Sequence, residues 1–204
     1  MYTKFNAFNL GKNGLNYPSD DSCNDDRYPK DTKPNLLMYA AETSVPHIDK
    51  KASLMKIEDL RFQYCNIKTT NLMPNVFAAQ KATANGKTEA LFHRGDRVTE
   101  AAHSSILIIK DGTVIMPPLD SLILPGITRQ ILTEVCQENS VPVENRIFTI
   151  DELMNADEII LCSTTKNIVY VFDVDGTPVG GKDRPLAEKL QKLFLDKVFE
   201  DTGV

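Results

Sequence analysis

A lysine and a glutamate are the residues of this chain whose chemistry is most informative. Lys68 lies in the run Cys65-Asn66-Ile67-Lys68-Thr69-Thr70-Asn71-Leu72, and Glu100 follows in Val98-Thr99-Glu100-Ala101-Ala102-His103-Ser104. A lysine amine can form a Schiff base with an aldehyde, and a carboxylate can hold a proton on a pyridine nitrogen. The pair therefore suggests a pyridoxal phosphate site. With 23 Lys and Arg and 28 Asp and Glu in the chain, an isolated pair of this kind also arises by chance.

Two other segments have the chemistry to bind a phosphate group. Leu124-Pro125-Gly126-Ile127-Thr128-Arg129 precedes an amphipathic pattern, so its amides would form a helix N-terminus, where backbone donors and the helix dipole favour an anion. Ser163-Thr164-Thr165 follows an apolar run and could supply hydroxyl donors from a second side. A Pro-Gly segment also serves simply to start a helix, and hydroxyl residues also serve simply to form turns.

The elements that must position these residues follow from the periodicity of the apolar side chains. Residues 1–34 are rich in Asn, Asp, Gly and Pro and are expected to form an irregular leader. Lys68 would follow a short strand at 62–67 and precede a helix at 71–84, and Glu100 would lie between two strands. The other predicted elements are strands at 36–41, 90–93, 105–109, 113–116, 158–162 and 169–174 and helices at 127–138, 151–155 and 185–199.

Composition limits the class of protein. A chain of 204 residues, 42% hydrophobic and without a long apolar run, is typical of a globular protein of one domain plus a tail, with no membrane span. The formal charge of −5 and the absence of a basic stripe argue against nucleic-acid binding. The first residues lack a secretory signal, so a cytoplasmic location is expected. The scattered cysteines and histidines show no metal-ligand spacing.

Four motifs together resemble the fold-type IV family of pyridoxal phosphate enzymes, also called class IV aminotransferases. They occur in the family's order and spacing: Asn66-Ile67-Lys68, Val98-Thr99-Glu100, Leu124 to Arg129 and Ser163-Thr164-Thr165. The wider match, from about Tyr28 to the C-terminus, most resembles the D-amino acid aminotransferases. Branched-chain aminotransferases and aminodeoxychorismate lyases share the same lysine, glutamate and phosphate loops.

The resemblance implies a fold and an assembly. The fold would be α/β, or mixed α+β: the larger C-terminal domain of fold-type IV enzymes, a β-rich pseudo-barrel flanked by helices. Residues 35–204 would form this pyridoxal phosphate-binding domain, and the family's small N-terminal domain would be missing or truncated in residues 1–34. Members of the family are dimers, so a homodimer is expected.

The resemblance also implies a role for each site residue. Lys68 would carry the cofactor and act as general acid and base, Glu100 would pair with the pyridine nitrogen, and Leu124 would pack against the ring. Four residues would hold the phosphate through amides and hydroxyls: Ile127, Thr128, Ser163 and Thr164. The reaction would exchange an amino group between D-alanine, or another D-amino acid, and a 2-oxo acid such as 2-oxoglutarate.

Two alternatives to a complete enzyme follow from departures from the family pattern. The family binds the substrate carboxylate with an arginine and a histidine where this chain has Asn24 and Asp26, and an aspartate would repel a carboxylate. The chain could therefore be a non-catalytic, cofactor-binding remnant. It could also be an interaction module whose partner supplies the missing half, although residues 1–34 offer little apolar surface for one.

Overall fold

The computed structural model describes residues 2–10, 35–43 and 50–202 of the chain. The chain divides into two compact units, Met1–Ser44 and Val45–Val204, and each is described by itself. In the first unit, β1 (Tyr2–Leu10) pairs antiparallel with β2 (Asn35–Thr43). The register places Tyr2 opposite Thr43.

The first unit differs in part from the sequence-based expectation. β2 confirms the strand predicted at 36–41. Tyr2–Leu10 is also a strand, whereas the sequence predicted an irregular conformation for residues 1–34. The physical reason is that the ladder forms with a segment distant in the sequence, and local composition contains no information about such a partner. Residues 11–34, which include Asn24 and Asp26, lie outside the described residues.

The second unit contains nine strands and four helices among its described residues. The strands are β3 (Lys51–Glu58), β4 (Glu89–Arg94), β5 (Arg97–Ala101), β6 (Ser105–Lys110), β7 (Thr113–Met116), β8 (Val143–Asn145), β9 (Glu158–Ser163), β10 (Asn167–Val174) and β11 (Thr177–Pro178). The helices are α1 (Met73–Ala84), α2 (Ile127–Glu138), α3 (Ile150–Met154) and α4 (Arg184–Thr202). Within the part of the chain that the structure describes, no helix is long and apolar enough to span a membrane.

The nine strands form one mixed sheet that curls on itself. Its order is β5-β4-β3-β10-β9-β6-β7-β8, with β11 paired to β10. The segment after β8 crosses to the opposite edge, where Val98 N donates to Phe148 O at 3.1 Å and Ile150 N donates to Asp96 O at 2.9 Å. The two edges of the sheet therefore approach each other. The curled sheet with its helices confirms the predicted pseudo-barrel.

Both faces of the central strands are buried, which explains their continuous apolar runs. In β6, Ile106 and Ile108 belong to one core cluster, whereas Leu107 and Ile109 belong to another. Successive side chains of a strand point to opposite faces, so a strand covered on both sides needs apolar residues at every position. α2 and α4 cover the second of these clusters, and α1 packs against β4.

Most of the predicted elements of this unit are present within a few residues of their expected limits. The Asp111-Gly112 turn joins β6 to β7 as predicted, with φ values of 48° and 73° that suit a two-residue hairpin.

Two predictions about elements next to the site were wrong. Residues 62–67 form turns rather than a strand, because Tyr64 has a φ of 73° and Ile67 N donates back to Tyr64 O at 3.0 Å. Glu100 lies within β5 rather than between strands, because β5 stays paired with β4 as far as Ala101.

Candidate active site

The seven residues predicted to form the site line one cavity of about 720 Å³. They come from four places: the loop between β3 and α1, the end of β5, the segment before α2 and the start of that helix, and the end of β9. The residues are Lys68, Glu100, Leu124, Ile127, Thr128, Ser163 and Thr164. The structure therefore brings together segments separated by up to about half of the chain.

Lys68 lies on the exposed loop that leads into α1. The loop is attached to the sheet at its first residues, where Asp59 N donates to His93 O at 2.7 Å and Arg94 Nη2 donates to Arg61 O at 2.7 Å. Among the described residues, none forms an ion pair or hydrogen bond with the Lys68 amine. The amine is thus free of a competing carboxylate within this part of the chain.

Glu100 is a buried carboxylate at the wall of the same cavity, with 7% of the residue exposed. Its Oε2 accepts a hydrogen bond from Leu124 N at 3.0 Å, and its Oε1 pairs with the Arg61 guanidinium. Burial raises the pKa of Glu100, and the Arg61 charge and the Leu124 amide oppose this shift. The Arg61 cation and the Leu124 amide are favourable partners for the ionised carboxylate, which in that state can accept a hydrogen bond from a protonated ring nitrogen.

Arg61 is a functional residue that the sequence analysis missed. Its guanidinium bridges two carboxylates, since Nε and Nη2 donate to Asp59 at 2.8 Å each while Nη1 pairs with Glu100. Thr99 Oγ1 donates to Asp59 at 3.0 Å, and the Phe92 ring lies 4.6 Å from the guanidinium carbon. Arg61 also lines the cavity, so it orients Glu100 from within the cavity wall.

The pKa values of the bridge reflect this arrangement. Burial alone would lower the pKa of Arg61, but its hydrogen bond to Asp59 and the nearby Glu100 charge raise it. Burial alone would raise the pKa of Asp59, but the Arg61 contacts lower it. The signal in the sequence was the pair Asp59 and Arg61, two residues of opposite charge that need partners when they are buried next to the end of a strand.

A third part of the cavity lining consists of groups that donate hydrogen bonds. α2 begins after Gly126, whose ψ of 135° is extended, so the amides of Ile127 and Thr128 belong to the first helical turn. The turn after β9 presents the Ser163 hydroxyl, which lies 3.3 Å from Thr165 Oγ1. First-turn amides and hydroxyls are suitable donors to a phosphate.

The chemistry of these groups fits pyridoxal phosphate at three separate points. A lysine amine, a buried carboxylate and a set of amide and hydroxyl donors all line one cavity. Each group matches one part of the cofactor: its aldehyde, its pyridine nitrogen and its phosphate.

The match to known proteins agrees with this fold. The family model described as amino-transferase class IV matches residues 19–172. The chain belongs to this family.

Two curated relatives have the same description, D-alanine aminotransferase. The one from Listeria monocytogenes serotype 4b (strain F2365) is 37% identical over 180 residues, covering 86% of this chain and 62% of the relative. The one from Staphylococcus aureus (strain COL) is 35% identical over 177 residues, covering 85% and 62%. The chain thus spans less than two thirds of the length of these relatives.

A solved structure confirms the fold. The branched-chain amino acid aminotransferase from Escherichia coli superimposes with a TM-score of 0.73. The superposition covers 83% of this chain and 60% of that structure, at 23% sequence identity.

Proposed function

We propose that this chain forms the cofactor-binding part of an aminotransferase that exchanges an amino group between D-alanine and a 2-oxo acid such as 2-oxoglutarate. One observation carries the proposal: the seven residues predicted from the sequence line a single cavity. The preference for D-alanine rests on the curated relatives, whose identity to this chain is 35 to 37%. When bound, pyridoxal phosphate supplies an aldehyde that bonds to an amine and a ring that accepts electrons.

In this proposal, Lys68 and Glu100 act on protons at opposite ends of the ring. The Lys68 Nζ would hold the cofactor through its aldehyde and would act as the base that moves the proton of the substrate α-carbon. Glu100 holds a proton at the pyridine nitrogen, while Arg61 and the Leu124 amide keep its carboxylate oriented. The Leu124 side chain packs against the ring.

The phosphate is bound from two sides. The amides of Ile127 and Thr128 donate from the start of α2, where the helix dipole favours an anion. The hydroxyls of Ser163 and Thr164 donate from the turn after β9. These contacts would hold the cofactor phosphate independently of Lys68, so that the lysine amine can act on a proton.

The proposed assembly is a homodimer. Many large apolar side chains near the cavity are exposed on the loop before α1 and on that helix: Leu60, Phe62, Tyr64, Ile67, Leu72, Met73, Val76 and Phe77. An apolar surface of this kind is typical of a protein interface. A second copy of the chain would bury it.

Trapping the cofactor tests the proposed site directly. The chain is incubated with pyridoxal phosphate, reduced with borohydride and digested, and the modified peptide is identified by mass spectrometry. We expect the adduct at Lys68, and its loss in Lys68→Ala. Lys81→Ala, which removes an exposed lysine of α1, is the matched control and should leave the adduct unchanged.

Turnover then separates the proposed activity from the alternatives. Wild type should convert D-alanine and 2-oxoglutarate to pyruvate and glutamate, and Lys68→Ala should not. An adduct without turnover would support a cofactor-binding protein without catalysis. Preferential use of branched-chain L-amino acids, or release of a lyase product from aminodeoxychorismate, would assign the chain to another branch of the family. The absence of an adduct would contradict the whole proposal.

A further inference from the structure

A buried carboxylate outside the seven site residues connects two walls of the cavity. Glu89 begins β4, and only 1% of its side chain is exposed. Its Oε1 accepts a hydrogen bond from His103 N at 2.5 Å, and its Oε2 accepts one from Ser104 Oγ at 3.0 Å. The Lys166 ammonium completes the cluster by pairing with Oε2.

The donors of this cluster belong to the two turns that carry hydroxyls into the cavity. His103 and Ser104 lie on the turn between β5 and β6, and both line the cavity. Lys166 lies on the turn between β9 and β10, where its backbone N donates to Ser163 Oγ at 3.3 Å. Lys166 Nζ also reaches Ser104 Oγ at 3.3 Å, so the lysine contacts both turns.

The ion pair between Glu89 and Lys166 is needed to compensate the buried charge of Glu89. A buried carboxylate without a cation is strongly unfavourable, so Glu89 requires Lys166 nearby. Lys166 can satisfy this requirement only if the turn between β9 and β10 lies close to the start of β4. β6 and β9 are paired, with Ser105 opposite Cys162, so the sheet already places Ser104 and Ser163 side by side. The ion pair adds a connection from these two turns to the start of β4, which is not a neighbour of β9 in the sheet.

We propose that Glu89 and Lys166 are positioning residues for the phosphate end of the cavity. They hold in place the turn that carries the Ser163 and Thr164 hydroxyls, without contacting the ligand themselves. This inference rests on the proposed function, because it assumes that the Ser163 end of the cavity receives the cofactor phosphate. It adds two residues that bind neither the ring nor the substrate.

The test compares two ligands that differ only in the phosphate. Dissociation constants for pyridoxal and pyridoxal phosphate are measured by absorbance for wild type and Lys166→Met. The pyridoxal constant divided by the pyridoxal phosphate constant isolates the phosphate contribution, because both ligands react with the same lysine. We expect Lys166→Met to lower this ratio about tenfold, as for the loss of one good hydrogen bond to the phosphate. Lys166→Arg keeps the charge and should preserve the ratio.

A second ion pair of similar burial provides the control. Lys87 pairs with Asp173, with side-chain exposures of 19% and 13%, and neither residue lines the cavity. Lys87→Met should lower the melting temperature as Lys166→Met does, yet leave the ligand ratio unchanged. Glu89→Gln, which retains an acceptor but loses the charge, is a second variant that should lower the ratio.

The outcomes distinguish this inference from the proposed function. An unchanged ratio in Lys166→Met, or an equal fall in Lys87→Met, would overturn the positioning role while leaving cofactor binding intact. If wild type bound pyridoxal phosphate no better than pyridoxal, the phosphate site would be refuted and both proposals would fall. A lower ratio of dissociation constants in Lys166→Met and Glu89→Gln alone, with a wild-type ratio in Lys166→Arg, would support the inference.

Discussion

Arg61 places one positive charge between two buried carboxylates, and this makes each member of the bridge depend on the others. Asp59 has no exposed side-chain surface, and it also lies 3.3 Å from Arg94 Nε. Removing one member of a buried ion pair leaves the charge of the other member buried and uncompensated. The orientation of Glu100 therefore depends, through Arg61, on Asp59 and Arg94, which do not line the cavity themselves.

Asp59→Asn should reveal this dependence through pH. Arg61 lowers the pKa of Asp59 in the folded chain, so the stabilisation is present above the ordinary aspartate pKa of about 4 and is lost as the pH falls through the folded value. We expect the variant to lose about 3 kcal/mol of unfolding free energy at pH 7, and the difference from wild type to shrink at pH 3. Urea unfolding at both pH values measures this.

Asp120→Asn is the matched control for that experiment. Arg97 lowers the pKa of Asp120 in the same direction, but the Asp120 side chain is 38% exposed. Water screens an exposed pair, so its loss should cost much less. A difference between wild type and Asp59→Asn that stayed constant from pH 7 to pH 3 would contradict the assignment.

At this scale, the sequence indicated Lys68 and Glu100 as candidate site residues, and both line the cavity, whereas it did not indicate Arg61 or Glu89. Lys68 and Glu100 belong to motifs whose residue types indicate their own chemistry. The role of Arg61 comes from the three-dimensional approach of Glu100, which belongs to another strand. Glu89 begins a strand, and only the fold shows that two distant turns converge on it.

The start of α2 contains a close approach that matters for the phosphate end. Gly126 has an ordinary φ of −69°, so alanine would not strain the backbone there. A Cβ at this position would instead lie 3.1 Å from Ser105 Oγ. The helix start and the first residue of β6 are thus packed too closely for a methyl group without a shift of Ser105.

Gly126→Ala should weaken pyridoxal phosphate binding, because making room for the added methyl group would displace the first turn of α2 or Ser105. An overpacked contact costs about 1 to 3 kcal/mol, so we expect a loss of affinity of roughly tenfold. Ser105→Ala removes the opposing oxygen, and the double variant should recover most of the affinity. Titration of all three variants with pyridoxal phosphate measures these affinities. A double variant that bound the cofactor as weakly as Gly126→Ala would count against the contact between position 126 and Ser105.

Elements with regular apolar patterns were predictable from the sequence, and the loop between β3 and α1 was not. The buried strands β6 and β9 and the hairpin at Asp111-Gly112 have strong local signals. The apolar residues at 62–67 predict a strand, yet Phe62 and Tyr64 are 68% and 70% exposed. These apolar residues lie on the surface near the cavity and do not alternate between buried and exposed positions as the residues of a strand do.

The second unit presents a group of exposed apolar side chains. The eight exposed apolar residues at positions 60–77 all belong to the loop between β3 and α1 or to α1 itself. Scattered apolar residues are normal on a protein surface, but a group of this size near one cavity is not. Association of two copies would remove these side chains from solvent and would also restrict access to Lys68.

Sedimentation velocity should show a dimer whose stability depends on this surface. We expect Phe77→Ser, which changes a residue of α1 that is 68% exposed, to shift the equilibrium towards monomer by at least about tenfold in the dissociation constant. Phe172→Ser changes a 48% exposed residue of β10 outside the group and should have little effect. A wild type that stayed monomeric at every concentration would refute the proposed assembly.

The position of β3 in the sheet has a consequence for the order in which the chain folds. β3 lies between β4, which follows it closely, and β10, which arrives more than 100 residues later. During synthesis, the edge of β3 that pairs with β10 stays unpaired until β10 has emerged from the ribosome. Contacts so distant in sequence form slowly, and an unpaired strand edge invites aggregation meanwhile. A nascent chain that stops before residue 167 would therefore be a substrate for chaperones rather than a smaller folded domain.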